Sequence, residues 1–264
     1  MEMEKLRRLN RIFKEDGKTF ILPIDHGVSM GPITKLENPK AIKVLLPYVD
    51  AIMLTRGILR SSLSDITVPV VLKVSGGYSV IGSMDNIEVV ASVKDAIRLD
   101  AAAVSTNVSI GTEYEHQSLV SLARLINECE DYGVPVMAIT FVGKKYEERS
   151  QDSRYLALCA RICAEYGASV VKTYYCEKDF ERVVNGCPVP VVLAGGPKVD
   201  DKFKVLQWVY EGIQKGAAGI CLGRNIWQDE HPIAMAKAMR AIVHEGATAK
   251  EAYDLYNKEQ GSGN

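Results

Sequence analysis

The stretch Ala168-Ser-Val-Val-Lys-Thr-Tyr-Tyr175 carries the signal that decides the fold. It is short, apolar and rich in β-branched residues, which is typical of a buried strand, and Lys172 stands near its carboxyl end. A buried ammonium must be paired with an anion or lower its pKa. A lysine whose pKa is lowered is a nucleophile that can form a Schiff base with a ketone. A purely structural ion pair would explain this segment equally well.

Similar segments recur along the chain and alternate with helical patterns. The sequence predicts eight strands, at 19–24, 49–54, 68–74, 101–105, 134–140, 168–175, 189–194 and 217–222. It predicts intervening helices at 38–46, 87–99, 116–132, 154–166, 180–185, 201–215, 232–244 and 249–258. Such alternation favours parallel pairing, right-handed crossovers and a sheet covered by helices.

Eight strand–helix units are the number that closes an α/β TIM barrel, a (β/α)8 fold. A doubly wound sheet is the alternative, but it usually carries a glycine fingerprint after its first strand. Here the first strand ends in Asp25-His-Gly27, without G-x-G-x-x-G. We therefore predict a single barrel domain over residues 1–260, followed by a flexible Gly-Ser-Gly-Asn tail over residues 261–264.

Composition limits the classes of partner. The 264 residues carry a formal net charge of -1, so no global field attracts nucleic acid or an anionic membrane. An anionic ligand must then be held by a local site. The amino terminus is charged and no apolar run approaches transmembrane length, so we expect a cytoplasmic protein that binds neither nucleic acid nor membrane.

The six cysteines show no metal-binding pattern. They include no C-x-x-C pair and no histidine at ligand spacing, so we expect reduced thiols and no metal. Cys176 follows the lysine strand closely enough to be a candidate nucleophile. No base is evident near it in sequence, and ordinary packing explains it as well.

Polar residues at the strand ends outline one predicted pocket, because the carboxyl ends of barrel strands converge at the active site. The predicted set is Asp25, His26, Arg56, Ser75, Lys172, Gly195, Gly196, Gly223 and Arg224. Glycine turns after the seventh and eighth strands of such barrels often bind phosphate through backbone N–H groups. Arg224 can add a charge-assisted bond to that anion. The alternative is that the glycines only permit tight turns.

Acid–base roles are predicted for two neighbouring residues. Asp25 can move protons during carbinolamine formation and C–C cleavage, or serve only as the ion-pair partner of Lys172. His26 is either a substrate contact or a histidine hydrogen-bonded in place. The loop after the fifth strand carries Lys144, Lys145 and Tyr146, which either reach the substrate or form a solvated lid.

Four motifs resemble one known family. They are Pro23-Ile-Asp-His-Gly27, Val170-Val-Lys-Thr-Tyr-Tyr175, Val192-Leu-Ala-Gly-Gly-Pro-Lys198 and Leu222-Gly-Arg-Asn-Ile226. They are similar to those of the archaeal-type class I aldolases, grouped with deoxyribose-phosphate aldolases, over nearly the whole chain. The resemblance implies a TIM barrel, a Schiff-base lysine at Lys172, an acid–base Asp25, and phosphate held by the glycine turns. It also implies a homo-oligomer, since members form large rings, often decamers.

Other stretches resemble a thiolase branch of the same family, which moves an acetyl unit from a phosphorylated dione to coenzyme A. They are Thr55-Arg-Gly-Ile-Leu-Arg-Ser61, Glu113-Tyr-Glu-His-Gln-Ser118, Phe180–Pro190 and Asn225–Pro232. The family's sugar aldolases carry an acid–base tyrosine at the end of the fifth strand, where this chain has Phe141. A phenyl ring cannot relay a proton. Either Tyr146 or a lysine of the following loop replaces that tyrosine, or the chemistry is thiolase-like.

The resulting prediction is a metal-independent class I enzyme. It makes or breaks a C–C bond in a phosphorylated ketone or ketose through a lysine iminium, with dihydroxyacetone phosphate as donor or product. The alternative is acetyl transfer from a phosphorylated dione, with coenzyme A as a co-substrate only in that case and no other cofactor. A non-catalytic sugar-phosphate sensor is a third hypothesis, which the intact Lys172 disfavours.

Overall fold

A closed parallel barrel organises the chain, as predicted. The computed structural model describes residues 3–143 and 151–260. Across these residues the barrel strands are Thr19–Pro23 (β1), Ala51–Thr55 (β2), Val70–Lys73 (β3), Ala103–Ile110 (β4), Val136–Val142 (β5), Val170–Tyr174 (β6), Val191–Ala194 (β7) and Gly219–Cys221 (β8). Each strand pairs with its neighbours in chain order, and β8 pairs in parallel with β1 to close the ring. The fold is a TIM (β/α)8 barrel.

Helices cover the outside of the barrel. They are Met3–Ile12 (α1), Gly27–Met30 (α2), Arg56–Ser62 (α3), Val93–Arg98 (α4), Glu115–Glu130 (α5), Ser153–Glu165 (α6), Phe180–Asn185 (α7), Lys202–Gln214 (α8), Arg224–Trp227 (α9), Pro232–His244 (α10) and Ala249–Gln260 (α11). A 3-10 segment spans Pro39–Tyr48. Within the described residues, none of these helices has the length and apolarity needed to cross a membrane.

The strands separate two apolar cores because successive side chains point to opposite faces. The larger core lies between strands and helices. The smaller one fills the barrel interior, where Val71 of β3, Met137 of β5 and Val170 of β6 pack together. Leu9 and Ile12 of α1 belong to the interior cluster, so the first helix closes the amino end of the barrel. The carboxyl end is therefore the side left open for a ligand.

Two predicted elements differ from the structure. The helix predicted at 87–99 is shorter, because Ser92 caps its start by accepting a hydrogen bond from the Asp95 N–H at 3.1 Å. Before this cap, Glu88–Val89 pairs antiparallel with Ser75–Gly76. The fourth strand, predicted to end at Ser105, continues to Ile110. Both differences place additional residues around the open end of the barrel.

Candidate active site

Strand alternation directs polar side chains into the mouth of the barrel. Val71 and Val170 lie in the interior cluster, so Lys73 and Lys172, two residues further along the same strands, point inward above them. Both lysines are buried, with 3% and 8% of their surface exposed. Both line a single cavity, together with Asp25 from the end of β1 and Cys221 from β8.

A hydrogen-bonded network surrounds Asp25. Its Oδ2 lies 3.4 Å from Lys73 Nζ, and Lys73 also donates a hydrogen bond to Asn107 Oδ1. Asn107 Nδ2 in turn donates to the phenolic oxygen of Tyr78 at 2.5 Å. Ser75 Oγ accepts from the Asn107 backbone N–H at 2.9 Å, which fixes the fourth strand beside the third. Ser75 therefore supports the site without facing the ligand.

Two buried lysines share this one carboxylate, and their pKa values move apart. Burial lowers the pKa of Lys73, and the charge of Lys172 lowers it further, although Asp25 opposes both. Burial also lowers the pKa of Lys172, but Cys221 and Asp25 outweigh it and the net direction is upward. Of the two alternatives for Lys172, a paired ammonium or a lowered pKa, the direction agrees with the first, and the lowered pKa belongs to Lys73.

The side chain of Asp25 is ionised. Burial raises the pKa of Asp25, but Lys73, His26 and Lys172 lower it more, so the net direction is downward. An ionised Asp25 close to two amines can accept a proton from one and return it later. The ion pair predicted between Asp25 and Lys172 is formed instead with Lys73, which the sequence did not single out, while the charge of Lys172 still acts on Asp25.

His26 is neutral in the physiological range. Burial lowers its pKa to about 4, and the charges of Lys172 and Arg224 act in the same direction against Asp25. Its Nδ1 lies 3.9 Å from Asp25 Oδ1, too far for a hydrogen bond, and its ring meets the Trp227 ring edge-on at 5.5 Å. His26 lines the cavity, as predicted for a substrate contact.

Backbone geometry requires the late glycines. Gly196 has a φ of +62°, in the left-handed region. A Cβ on Gly223 would lie 2.7 Å from the Pro23 carbonyl oxygen and 2.9 Å from Trp227 Nε1. Asn225 ties the two turns together, since its Nδ2 donates to the Gly195 carbonyl at 2.9 Å. The two glycine turns thus form one rigid edge of the cavity.

Arg224 lines the same cavity beside these turns. Its Nε is buried and has no hydrogen-bond partner among the described residues. A buried guanidinium donor without an acceptor is costly, and an anionic ligand would satisfy it. The cavity therefore combines a cation and two glycine turns with two lysines and a carboxylate.

Some predicted site residues lie elsewhere. The predicted placement of Arg56 in the pocket is wrong, because its guanidinium turns outward and donates to Asp95 Oδ2 at 2.6 Å. Cys176 lies outside the cavity lining; its thiol donates to the Lys178 carbonyl, and burial raises its pKa to about 11. Tyr146, with Lys144 and Lys145, lies outside the described residues.

The cavity residues that the sequence did not single out include Lys73, Tyr78, Asn107 and Cys221. Lys73 carried the same signal as Lys172, a lysine at the end of an apolar β-branched run. Cys221 also ends its strand, but a cysteine there reads as core. Among residues 3–143 and 151–260, no group of three or more histidine, cysteine, aspartate or glutamate side chains is arranged to hold a metal ion.

Phe141 lies at the cavity wall near the end of β5. Its ring contributes apolar surface and no exchangeable proton. Proton transfer in this cavity thus depends on other groups, of which Asp25, the two lysines and the phenols of Tyr78 and Tyr174 line the same space.

Comparison with known proteins places the chain in a family. The DeoC/LacD family aldolase model matches residues 19–229. The 3-hydroxy-5-phosphonooxypentane-2,4-dione thiolase of Escherichia coli strain K12 is 46% identical over 256 residues, covering 96% of this chain and 87% of the relative. The thiolase of the same name from Photorhabdus laumondii is 45% identical over the same share of each chain.

Solved structures with the same fold include fructose-bisphosphate aldolases, one of them described as Schiff-base-forming. An archaeal fructose 1,6-bisphosphate aldolase superposes with a TM-score of 0.82 at 28% identity, covering 92% of this chain and all of the other. A Schiff-base-forming fructose-1,6-bisphosphate aldolase gives a TM-score of 0.83 at 29% identity, covering 91% and 100%. These findings identify a class I aldolase-type enzyme. The chain belongs to the DeoC/LacD family of aldolases.

Proposed function

We propose that this enzyme breaks or forms a C–C bond beside a ketone of a phosphorylated substrate, through an imine on Lys172. The observation that carries the proposal is the burial of two lysines in one cavity that is also lined by Asp25, Arg224 and the glycine turns. An imine needs a neutral amine, a nearby proton acceptor and a carbonyl held within reach.

Lys172 is better suited than Lys73 to attack the carbonyl. The Nζ of Lys73 is held between Asn107 and Asp25, so moving it would break two interactions with oxygen acceptors. The hydrogen-bond partner of Lys172 is the Cys221 thiol, a weak acceptor. Lys172 also occupies the lysine position of the family motif on β6. Its amine is therefore the less constrained of the two.

Asp25 is the proton carrier in this mechanism. Lys172 rests as an ammonium because its pKa is raised, and it must lose a proton before it attacks. Asp25, ionised and adjacent to both lysines, accepts that proton. It then protonates the carbinolamine oxygen as water leaves. Lys73 holds the carboxylate in place at 3.4 Å throughout.

The phosphate is assigned to the turn after β7 and the start of α9. Gly195, Gly196 and Gly223 allow backbone N–H groups to approach an anion closely, and Arg224 has a buried donor to offer. Holding the phosphate at this edge would fix the ketone within reach of Lys172 on the neighbouring strand. Remote binding of this kind lowers the entropic cost of the reaction.

The substrate we favour is the one in the names of the relatives. In 3-hydroxy-5-phosphonooxypentane-2,4-dione, carbon 4 is a ketone beside the phosphate-bearing carbon, so the phosphate site would direct that ketone to Lys172. The iminium at carbon 4 then accepts the electron pair of the bond between carbons 2 and 3. The acetyl unit leaves on a thiol such as coenzyme A, and dihydroxyacetone phosphate remains on the lysine until hydrolysis.

Aldol chemistry with dihydroxyacetone phosphate is the second candidate, favoured by the likeness to fructose-bisphosphate aldolases. A product assay separates the two. We expect the dione plus coenzyme A to give acetyl-coenzyme A with loss of free thiol, and Lys172→Met to abolish this turnover at unchanged thermal stability. Cleavage of fructose 1,6-bisphosphate without thiol consumption would favour the aldolase. Thermal stabilisation by both substrates with no turnover would leave a sugar-phosphate sensor.

A further inference from the structure

Tyr78 is the residue on which the further inference rests. It lies between the two short paired segments Ser75–Gly76 and Glu88–Val89, and its ring lines the cavity with Lys172 and Phe141. The backbone N–H of Val80 donates to the Ser29 carbonyl at 3.0 Å, which fixes this loop to the opposite side of the cavity mouth. The phenol is thus built into the site.

The chemistry of its neighbours fixes which way the Tyr78 proton points. Lys73 as an ammonium can only donate, so it faces the oxygen of the Asn107 amide. The amide nitrogen then faces Tyr78, and it can only donate to the phenolic oxygen. Since that oxygen accepts, its own O–H hydrogen remains for another partner. The described residues give it no acceptor.

We propose that Tyr78 donates this hydrogen to the substrate carbonyl oxygen that becomes negatively charged when the thiol adds. This role deepens the proposed function and rests on it. Tyr78 would then be a catalytic residue of the carbon–carbon cleavage step, and Asn107 would position it. Phe141 cannot serve, because its ring carries no exchangeable proton.

The step balances as follows. The thiol passes its proton to Asp25, which later returns it to carbon 3, and the sulfur bonds to carbon 2 of the Lys172-bound substrate. The carbonyl electron pair moves to oxygen, which accepts the hydrogen bond from Tyr78. The pair returns to re-form the carbonyl, and the bond between carbons 2 and 3 breaks. Its electrons enter the iminium to give an enamine. Protonation of the enamine at carbon 3 and hydrolysis of the iminium release the product and the free lysine.

The state of the phenol suits a donor. Burial raises the pKa of Tyr78, and the Asp25 charge raises it further, so the phenol keeps its proton across the physiological range. A protonated phenol stabilises an oxyanion but is a poor general base. This favours addition of a thiol, which creates an oxyanion, over deprotonation of an aldol hydroxyl.

Tyr78→Phe tests the role, measured with the dione and coenzyme A. We expect kcat to fall by about 100- to 1,000-fold, the usual loss of one oxyanion donor, while borohydride still traps the substrate on Lys172. Tyr256→Phe is the matched control, because it removes a buried phenol that donates to Asp229 at 2.9 Å outside the cavity. We expect normal kcat and some loss of stability.

A second variant tests the same role of Tyr78 in case Tyr78→Phe fails to fold. Asn107→Asp replaces the donating nitrogen with an oxygen that would accept the Tyr78 hydrogen, so the ring stays and the donor is lost. We expect a comparable fall in kcat.

Unchanged kcat in Tyr78→Phe, or loss of kcat in Tyr174→Phe alone, overturns the role of Tyr78. Loss of the trapped adduct in Tyr78→Phe also overturns it, because the phenol would then act before cleavage. Absence of any adduct on the wild-type enzyme would instead contradict the proposed function.

Discussion

A buried aspartate anchors each end of the barrel, and the two environments differ in how fully they are satisfied. At the amino end, Asp50 accepts from the Phe20 N–H at 2.6 Å and from Arg240 at 3.1 Å, and lies 2.7 Å from His244 Nε2. His244 Nδ1 lies 2.8 Å from Asp16. Each polar group of this cluster has a partner of opposite charge or role.

The carboxyl end is arranged otherwise. Asp25 pairs with Lys73 under the influence of the Lys172 charge, while His26 Nδ1 and Arg224 Nε have no hydrogen-bond partner among the described residues. A fully satisfied network stabilises one structure, whereas unsatisfied donors beside a cavity await a ligand. The comparison indicates that the amino end contributes stability and the carboxyl end contributes chemistry, in keeping with the usual division of labour in this barrel.

We expect the largest loss of activity from Asp25→Asn, at the carboxyl end of the barrel. It removes the proton acceptor, so kcat should fall by about 100- to 10,000-fold. Stability should change less than in Asp50→Asn, because Lys73, whose pKa is already lowered, can release its proton when the carboxylate is gone. Steady-state kinetics with urea unfolding checks both. A large loss of stability with near-normal kcat would reverse the roles of the two ends.

Asp50→Asn is the converse change. Removing this carboxylate leaves Arg240 without its anion and leaves His244 with Asp16 alone, which should cost about 3 kcal/mol of unfolding free energy. The folded fraction should keep its kcat. Urea unfolding followed by circular dichroism measures the cost. A loss below about 1 kcal/mol would mean that this cluster behaves like a surface ion pair.

The pH dependence of the unfolding free energy measures the contribution of His244. Burial lowers its pKa, but hydrogen bonds to Asp50 and Asp16 raise it more, so the net direction is upward. Its stabilisation is then fully present below the unfolded pKa, near 6.5, and is lost as pH rises through the higher folded pKa. The difference in unfolding free energy between wild type and His244→Gln should therefore shrink as the pH rises above about 6.5. A constant difference would contradict this.

Cys221→Ala should give the smallest effect. Cys221 is a main cause of the raised pKa of Lys172, so its removal should lower that pKa. The ascending limb of kcat/KM, which follows deprotonation of the free amine, should move to lower pH with the fold unchanged. Cys163→Ala is a control, since Cys163 is buried outside the cavity. A shift in both variants, or in neither, would contradict the effect of the Cys221 thiol on the pKa of Lys172.

The sequence predicted the barrel because strand composition and helix spacing are local properties. Val170 and Val171 mark a strand whatever surrounds them, and Lys172 at its end is placed by the pleat alone. The predicted glycine turns could be read in the same way, since Gly223 leaves no room for a Cβ. Oligomeric state, cellular location and the tail at 261–264 stay predictions.

The contacts between side chains were harder to predict from the sequence. Arg56 stands at a strand end like the true site residues, yet its long side chain reaches outward to Asp95. Asn107 was missed because residues 105–109 are mostly polar, so the sequence did not predict that β4 continues through them. Tyr78 lies on a loop with no periodicity, and only the fold brings it to Lys73 through Asn107. These contacts join residues about 30 positions apart, which no local pattern encodes.

Borohydride trapping with peptide mapping tests the central claim most directly. The enzyme would be reduced in the presence of dihydroxyacetone phosphate or the dione, digested, and searched for the mass added by the reduced imine. We predict one adduct, on the peptide that contains Lys172, and none in Lys172→Met. An adduct on Lys73, or turnover without any trapped adduct, would contradict the assignment of the Schiff base to Lys172.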